Sequence, residues 1–571
     1  MKPKNHTDHQ ERKPRPVRLR RNAPEWAVIG ILPRERKCRF LRAATRLALG
    51  ICVLAPASSQ SWPQEWVSLG PQESETPLRI GRQAQLLMDN HVLCDWWQVR
   101  RVLGPVRKHS DNPVLQADRD WERHSAKYLG VQPTAAIYDE REQIFKLWYT
   151  VLQPEGGGTA YATSSDGIHW TKPILGLIEF AGTRSNNLCR LEPFGRLVRG
   201  LRLVQDPRER SPDRRYLAIG TWPVHPDGTW YAGWAGVAYS SDGVSWHQIE
   251  GGFRDGAGGD RPSCVWDERL QRYVSFHRQL TERALPERIE AHGLKRYIVR
   301  QESADLKKWS PRQTAFNSMD SDWPHIESMS VYLRHGVYIG LAAMLDIQRT
   351  GRMEVHLAAS RDGFDWRNPC PGRAFIPLGA PGDFDDTLVY GCQLATRGDL
   401  MYIYYAGARY SHAYTPEPIV DDGGSIRHVP GGKGQLQFRP NRIGLATLEA
   451  DRFAGLRADE PLGAFLTRPL YIEGEELYVN ASVDRELRVE VVDAAWDVSD
   501  SGPKEDWTGH YVVGTERLVP GFSRKDCQAI IGDSLRHCVR WKGGSIGKLK
   551  GRSVRLRFIG RLATVYAFQI Q

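Results

Sequence analysis

The sequence predicts an all-β chain, a five-bladed β-propeller followed by a C-terminal β-sandwich. Three observations predict it. A turn of the form Ser-x-Asp-Gly-x-x-Trp recurs along the first 370 residues, aromatic-rich strand candidates recur at near-regular spacing, and the pattern changes character after about residue 455.

The turn is complete at Ser164 to Trp170 (SSDGIHW), Ser240 to Trp246 (SSDGVSW) and Ser360 to Trp366 (SRDGFDW). A degraded copy, SADLKKW, runs from Ser303 to Trp309, and Asp451-Arg452-Phe453 is a weaker fifth relative. An Asp carboxylate accepts hydrogen bonds from backbone N–H groups just ahead of it, Gly tolerates a positive φ at the next position, and the Trp covers the hairpin. Asp166, Asp242, Asp305 and Asp362 are therefore expected to shape turns rather than to catalyse.

Aromatic-rich runs start at Phe145, Tyr216, Tyr273, Tyr338 and Tyr402, spaced by 71, 57, 65 and 64 residues. A strand candidate precedes each run (PTAAIYD, LRLVQD, SCVWDE, SMSVYLR, TLVYGCQLAT) and another follows it (TAYATS, AGVAYS, RYIVRQES, EVHLAAS, RIGLATLE). A unit of this size fits a four-stranded antiparallel blade, and closing the blades in a ring leaves few sheet edges exposed. Further on, Leu470–Ile472, Glu476–Asn480, Leu487–Val492 and Val554–Phe558 alternate apolar with polar residues, as half-buried strands do, and Val565–Phe568 closes the chain. The expected division is a leader over 1–57, the propeller over 58–454 and the sandwich over 455–571.

The net charge of +11 is located in the leader. Residues 1–46 hold 14 Lys/Arg against 4 Asp/Glu, which leaves 64 basic and 63 acidic residues for the rest of the chain. Nucleic-acid binding thereby loses its electrostatic support. Arg39, Arg42 and Arg46 precede the apolar run Leu47–Leu54, and Ala55-Pro56-Ala57 supplies a small-residue cleavage pattern. This predicts export to the periplasm or beyond. Eight apolar residues are too few to span a hydrocarbon core about 30 Å thick, so no membrane span is expected once the leader is removed. Seven cysteines follow the leader; a Cys527–Cys538 bridge and buried free thiols both stay open, and no Cys/His cluster has metal-ligand spacing. No Rossmann or P-loop fingerprint is present, so no cofactor is expected.

The order Asn112-Pro113-Val114-Leu115, Trp121-Glu122, Trp148-Tyr149-Thr150, SSDGIHW, Thr171 to Leu177 (TKPILGL) and Asn186-Asn187 resembles the five-bladed propeller glycosidases, the superfamily of glycoside hydrolase families 32, 43 and relatives. It is most similar to the divergent family-32-like proteins. The tail strings GFSRKDC (Gly521 to Cys527), GDSLRH (Gly532 to His537) and VRWKGG (Val539 to Gly544) are similar to the C-terminal sandwich of those proteins. The resemblance spans residues 80–571. It implies a carbohydrate substrate and a site at the propeller axis, where three inner-strand carboxylates act as nucleophile or base, transition-state stabiliser and general acid.

Acidic residues at the start of each innermost strand are the candidates. The first blade offers Glu122 and, less well, Asp111, although the family's Asn-Asp-Pro-Asn-Gly string does not occur. The second offers Asp206 in Gln205-Asp206-Pro207, which resembles an Arg-Asp-Pro string whose Asp stabilises the transition state; a simple Asp-Pro turn is an equal reading. The third offers Asp260. The fourth offers Glu327, whose apolar neighbours suit a general acid, with a solvated strand-end carboxylate as the alternative. The fifth offers Asp383, Asp385 and Asp386. Asp385 and His325 are candidates to contact substrate, although a lone His is more often structural. Trp121, Trp222, Trp230 and Trp323 as a group suit rimming the opening and stacking on sugar faces, while each taken singly is more often hydrophobic packing. The functional classes left open are a glycoside hydrolase, a non-catalytic carbohydrate-binding propeller and a protein-interaction propeller. A sialidase fits less well, since six blades and an arginine trio cannot be assembled.

Overall fold

The computed structural model describes residues 76–571 apart from 125–128, 153–157, 209–210, 221–234, 254–261, 281–295, 319–322, 347–349, 411–417, 421–425, 429–438 and 495–517. The leader pattern lies outside the described residues. The described chain is all-β, and none of its helices is long and apolar enough to cross a membrane.

It opens with β1 (Gln85–Leu86), β2 (Leu93–Trp97), β3 (Val99–Leu103) and β4 (Arg107–Lys108). The first antiparallel meander is β5 (Gly130–Asp139), β6 (Ile144–Leu152) and β7 (Thr159–Ser164), followed by β8 (Arg190–Glu192) and β9 (Arg196–Leu197). The second is β10 (Arg202–Gln205), β11 (Tyr216–Gly220), β12 (Ala235–Ser240) and β13 (Ser245–Phe253). The third is β14 (Ser263–Asp267), β15 (Arg272–Leu280), β16 (Arg296–Ser303) and β17 (Gln313–Phe316). The fourth is β18 (His325–Arg334), β19 (Val337–Asp346) and β20 (Arg352–Ser360). The fifth is β21 (Leu388–Arg397) and β22 (Leu400–Arg409), with the short pair β23 (Pro418–Val420) and β24 (Ile426–His428) intervening before β25 (Arg439–Glu449). These strands coincide with the repeated runs of the sequence.

After them come β26 (Ala454–Ala458), β27 (Gly463–Thr467), β28 (Leu470–Tyr471), β29 (Leu477–Asp493), β30 (Ile530–Cys538) and β31 (Ser553–Ile570). The separate tail strands read from the alternation are fused: β29 and β31 pair along most of their length and absorb irregularities at Asn480/Ala481 and Val483/Glu486 without breaking. This nine-stranded sheet also takes strands from the beginning of the chain. β1 pairs with β31, β2 with β27 and β3 with β26, so residues 85–103 pair with the C-terminal sheet.

The Asp turns are built as turn chemistry requires. Asp166 Oδ1 accepts from the N–H groups of Ile168 and His169 at 2.8 and 2.9 Å, and Asp242, Asp305 and Asp362 each accept from the residues two and three ahead. Gly167, Gly243 and Gly363 have φ of 81°, 83° and 79°. In the degraded copy Leu306 takes φ 63°, a conformation that costs a branched residue about 1–2 kcal/mol. Its side chain is buried beside Val237 and Tyr273, which offsets that cost. Asp451 departs from the expected kinship: it has φ 63°, and its carboxylate binds Arg334 and His335 instead of the turn backbone.

The turns are fastened to neighbouring meanders. Trp148 Nε1 of the first meander donates to Gly243 O in the second at 2.7 Å, and Tyr404 Oη of the fifth donates to Gly167 O in the first at 2.8 Å. A Cβ at Gly363 would lie 3.1 Å from Phe276 of the third meander, so glycine there also permits close approach.

Cys527 and Cys538 are both free, as are the other five described cysteines. The thiol of Cys527 accepts instead from Val489 N at 3.3 Å. The bridge left open by the sequence is not formed.

Candidate functional site

The first strands of the second and third meanders run parallel, with Val204 opposite Cys264. Their N-terminal and C-terminal ends therefore lie on opposite sides, and the candidate residues divide between the two.

Asp206 follows β10 and sits at a C-terminal end. Its carboxylate is held by Arg208 at 2.9 and 2.7 Å and by the Tyr273 hydroxyl at 2.9 Å. The same construction occurs twice more. Asp267 ends β14, pairs with Arg269 at 2.7 Å and accepts from Tyr338. Asp139 ends β5 and accepts from the Tyr216 hydroxyl at 2.8 Å and from Arg141 N at 3.1 Å, with Lys146 and Arg215 as its cations. Burial opposes the charge on Asp139, but Lys146 and the Tyr216 hydroxyl outweigh it and hold the carboxyl down to about 2. Asp206 is thus one of three repeated Asp-x-Arg turns that each receive a Tyr from the next meander. The recurrence matches the simple-turn reading of Asp206, whose carboxylate is engaged by Arg208 and Tyr273. Gln205, one residue earlier, donates to Val331 O at 2.8 Å. Val331 lies four residues beyond Glu327 on β18, roughly 13 Å along the strand. Asp206 and Glu327 therefore do not form a facing pair of the 5–10 Å kind that glycoside hydrolysis uses, roughly.

Glu122 is fully buried in a short 3₁₀ turn ahead of β5. Both its oxygens accept from Lys172 Nζ at 2.9 and 2.8 Å, and it also binds the Tyr149 hydroxyl at 2.8 Å and the N–H groups of Asp118 and Arg119. Asn187 Nδ2 donates in turn to Tyr149 Oη at 2.8 Å. Four motifs read along the sequence (WE, WYT, TKP and NN) therefore form one buried network. Its cation, Lys172, was missed as a partner although its motif was in view. Trp121 is 3% exposed and packs edge-on against Phe180, 6.2 Å between ring centres. It belongs to the core beneath the first meander, the packing role expected of these tryptophans taken singly.

Glu327 lies near the start of β18, at a register irregularity between Ile326 and Ser328. A bulge of this kind re-aims one side chain out of the regular alternation. Glu327 is 3% exposed and forms ion pairs with Arg278 of β15 and Arg296 of β16. The apolar neighbours that suggested a proton donor are sequence neighbours; the neighbours of the carboxylate itself are two guanidinium groups. His325, on the same strand, accepts from Arg296 N at 3.3 Å through Nδ1. Trp323 is half-buried and lies 5.7 Å from the His356 ring. Nothing in the sequence marks Arg278 or Arg296, since each reaches Glu327 from a strand of another meander.

Asp385, just ahead of β21, is buried and accepts from Lys108 Nζ at 2.6 Å and the Tyr405 hydroxyl at 2.8 Å. Asp386 faces Arg409 at 3.0 Å, and Asp383 accepts from Ala380 N. Asp111 sits in an exposed turn, its hydrogen-bond neighbours being Ser110 and His109. Asp260, Trp222 and Trp230 lie outside the described residues.

The N-terminal side of the first strands also holds polar atoms without a hydrogen-bond partner among the described residues. They are Oε1 of Gln132 and Oγ1 of Thr134 on β5, Oγ1 of Thr150 on β6, and Oδ1 of Asn441 on β25. All four residues are more than nine-tenths buried. Unmet donors and acceptors of this kind are open to water or to the hydroxyls of a ligand. No cluster of His, Cys, Asp and Glu among the described residues has metal-binding geometry.

No family profile matches the chain, and no curated protein matches it. Among solved structures, several described as glycoside hydrolases match the chain, all at low identity and low TM-score. One structure described as a glycoside hydrolase is 13% identical, with 61% of this chain and 92% of that one covered and a TM-score of 0.39. A structure from the GH130 family of mannoside phosphorylases, described as containing hydrolases that target β-1,2 mannosidic linkages in Candida mannan, is 14% identical over 61% of this chain and 94% of that one, with a TM-score of 0.38. The catalytic domain of the Coprinopsis cinerea GH62 α-L-arabinofuranosidase is 12% identical over 65% and 99%, with a TM-score of 0.36.

Proposed function

We propose that this chain is an exported carbohydrate-active protein, a five-bladed propeller carrying a β-sandwich, that hydrolyses O-glycosidic bonds at the N-terminal ends of its first strands. Ring closure is supported by neighbour relations: β5 adjoins β10, β10 adjoins β14, β14 adjoins β18, β18 adjoins β21, and β21 adjoins β5. The Tyr404–Gly167 bond between fifth and first meanders fits the same closure. The sandwich reading is supported by one apolar cluster that draws on β2, β27, β29 and β31. Export rests on the basic and apolar pattern of residues 39–57.

One observation carries the functional reading: Glu327, bulged and buried, shares its side of the fold with unsatisfied Gln132, Thr134 and Asn441. A sugar presents hydroxyls that meet such groups, and hydrolysis needs a carboxylate beside them. Glu327, near the start of β18, and Asp385, just ahead of β21, are the two carboxylates retained for the chemistry. Purified protein incubated with a broad glycan panel should release reducing sugar. Glu327→Gln should lower turnover by about 10²–10⁴-fold, the range for a lost acid–base group. Folded Asp206→Asn should keep turnover; its loss would sink the reading of Asp206 as a turn residue outside the chemistry.

A second reading is a propeller that binds carbohydrate without cleaving it. It is favoured by the engagement of Glu122 and Asp206 in scaffold networks and by the two arginines on Glu327. Glycan binding with no product, unchanged by Glu327→Gln, selects it.

A further inference from the structure

A cavity of about 630 Å³ opens at the C-terminal ends of the first strands, on the side away from Glu327. It is lined by the ends of β5 and β10 together with Tyr332 of β18 and Gln393 and Leu394 of β21. Its size is that of a small-molecule site, within about 300–1,000 Å³.

Two amides define its chemistry. Gln205 commits its Nε2 to Val331 O at 2.8 Å, and Gln393 directs its Nε2 to Ser330 Oγ at 3.5 Å. Their Oε1 atoms have no hydrogen-bond partner among the described residues, although Gln393 is only 8% exposed. An amide oxygen fixed by its own nitrogen is an oriented acceptor for a hydroxyl or N–H donor.

Most charged groups at the rim are paired within the protein; the exception is Glu140, a carboxylate with no ion pair among the described residues, which disfavours an anionic ligand. Asp206 holds Arg208, and Asp139 holds Arg215 and Lys146. Such pairs present donors and acceptors side by side while offering little net charge to an ionic ligand. Leu203, Leu217 and Ile137 give the remaining wall an apolar character that suits the C–H faces of a sugar ring.

We propose that this cavity is a second carbohydrate site, selective for a neutral, hydroxyl-rich unit of one or two sugar rings, with Gln205 and Gln393 as its hydroxyl acceptors. It is separate from the site proposed above and stands whether or not that site cleaves glycans.

The test is hydrogen exchange on the full chain with neutral oligosaccharides of two to four hexose or pentose units, and with the corresponding uronates as controls. Neutral sugars should protect backbone amides in 135–141 and 203–208. The double variant Gln205→Leu/Gln393→Leu should weaken that protection with at least about a tenfold loss of affinity, while Glu327→Gln should leave it in place. Should the double variant not fold, Leu203→Trp fills the cavity and should abolish the protection. No protection of these segments by any neutral sugar, protection unchanged in the folded variants, or stronger protection by uronates overturns the proposal.

Discussion

The hydroxyl of Tyr273 donates to Oδ2 of Asp206 at 2.9 Å across the boundary between the second and third meanders. Tyr216 and Tyr338 make the equivalent bonds to Asp139 and Asp267. A tyrosine at the start of a second strand, its first or second residue, thereby locks the hairpin of the meander before it. Tyr273→Phe should cost about 1.5–3 kcal/mol, the range for a hydrogen bond to a charged group, measured by denaturant unfolding. Carbohydrate turnover per folded molecule should not change. A variant as stable as the parent would remove the locking role.

The Glu122–Lys172 pair is buried on both sides, with side-chain exposures of 0% and 5%. Removing one partner strands the other charge in the core. Lys172→Met is expected to destabilise by about 3–5 kcal/mol, whereas replacing both residues by apolar ones of similar volume should recover much of the loss. Chemical denaturation of the single and double variants separates these outcomes.

The pH dependence follows from two groups displaced downward. Burial, followed by the charge of Arg312, pushes His277 from 6.5 to about 4. Its contribution to stability is therefore complete above pH 6.5 and is lost as pH falls towards 4. Asp139, held down to about 2 against an ordinary 3.8, contributes fully above 3.8 and loses its contribution only as pH falls further towards 2. Two steps of acid destabilisation are expected, and His277→Gln should flatten the upper one in a series of denaturation curves recorded between pH 7 and 4.

The seven described cysteines are free, and most are buried. Thermal unfolding should therefore be indifferent to reductant, and unfolded, unreduced protein should react with a thiol reagent at all seven. A midpoint that falls on reduction would reveal a bridge between cysteines that are apart here.

How much of this was legible in the sequence depends on the range of the interaction. The Asp turns were readable because their bonds run two or three residues ahead, and the meander strands because their periodicity is local. The Asp-x-Arg turns were equally visible as YDER, QDPR and WDER. Their meaning was not, because each Asp is completed by a Tyr some 67 to 77 residues away. Asp206 taken alone therefore reads equally as a fragment of a catalytic string and as a simple Asp-Pro turn. Glu327 was found by its place on a strand, but Arg278 and Arg296 arrive from the preceding meander and leave no mark beside it. Trp121 illustrates a further limit, since the same residue type serves a core or a sugar site and only burial distinguishes them.

The pairing of β2 and β3 with β27 and β26 sets an order of events during synthesis. The strands at 93–103 leave the ribosome first and then wait for partners that lie at 454–467, more than 350 residues later. Until those arrive, their edges are open to any passing strand, and contacts of such sequence separation form slowly. A chain cut short before residue 454 would hold all five meanders yet leave β2 and β3 without the partners they pair with here. The tail thus acts as a completion signal: its arrival pairs the open edges of β2 and β3.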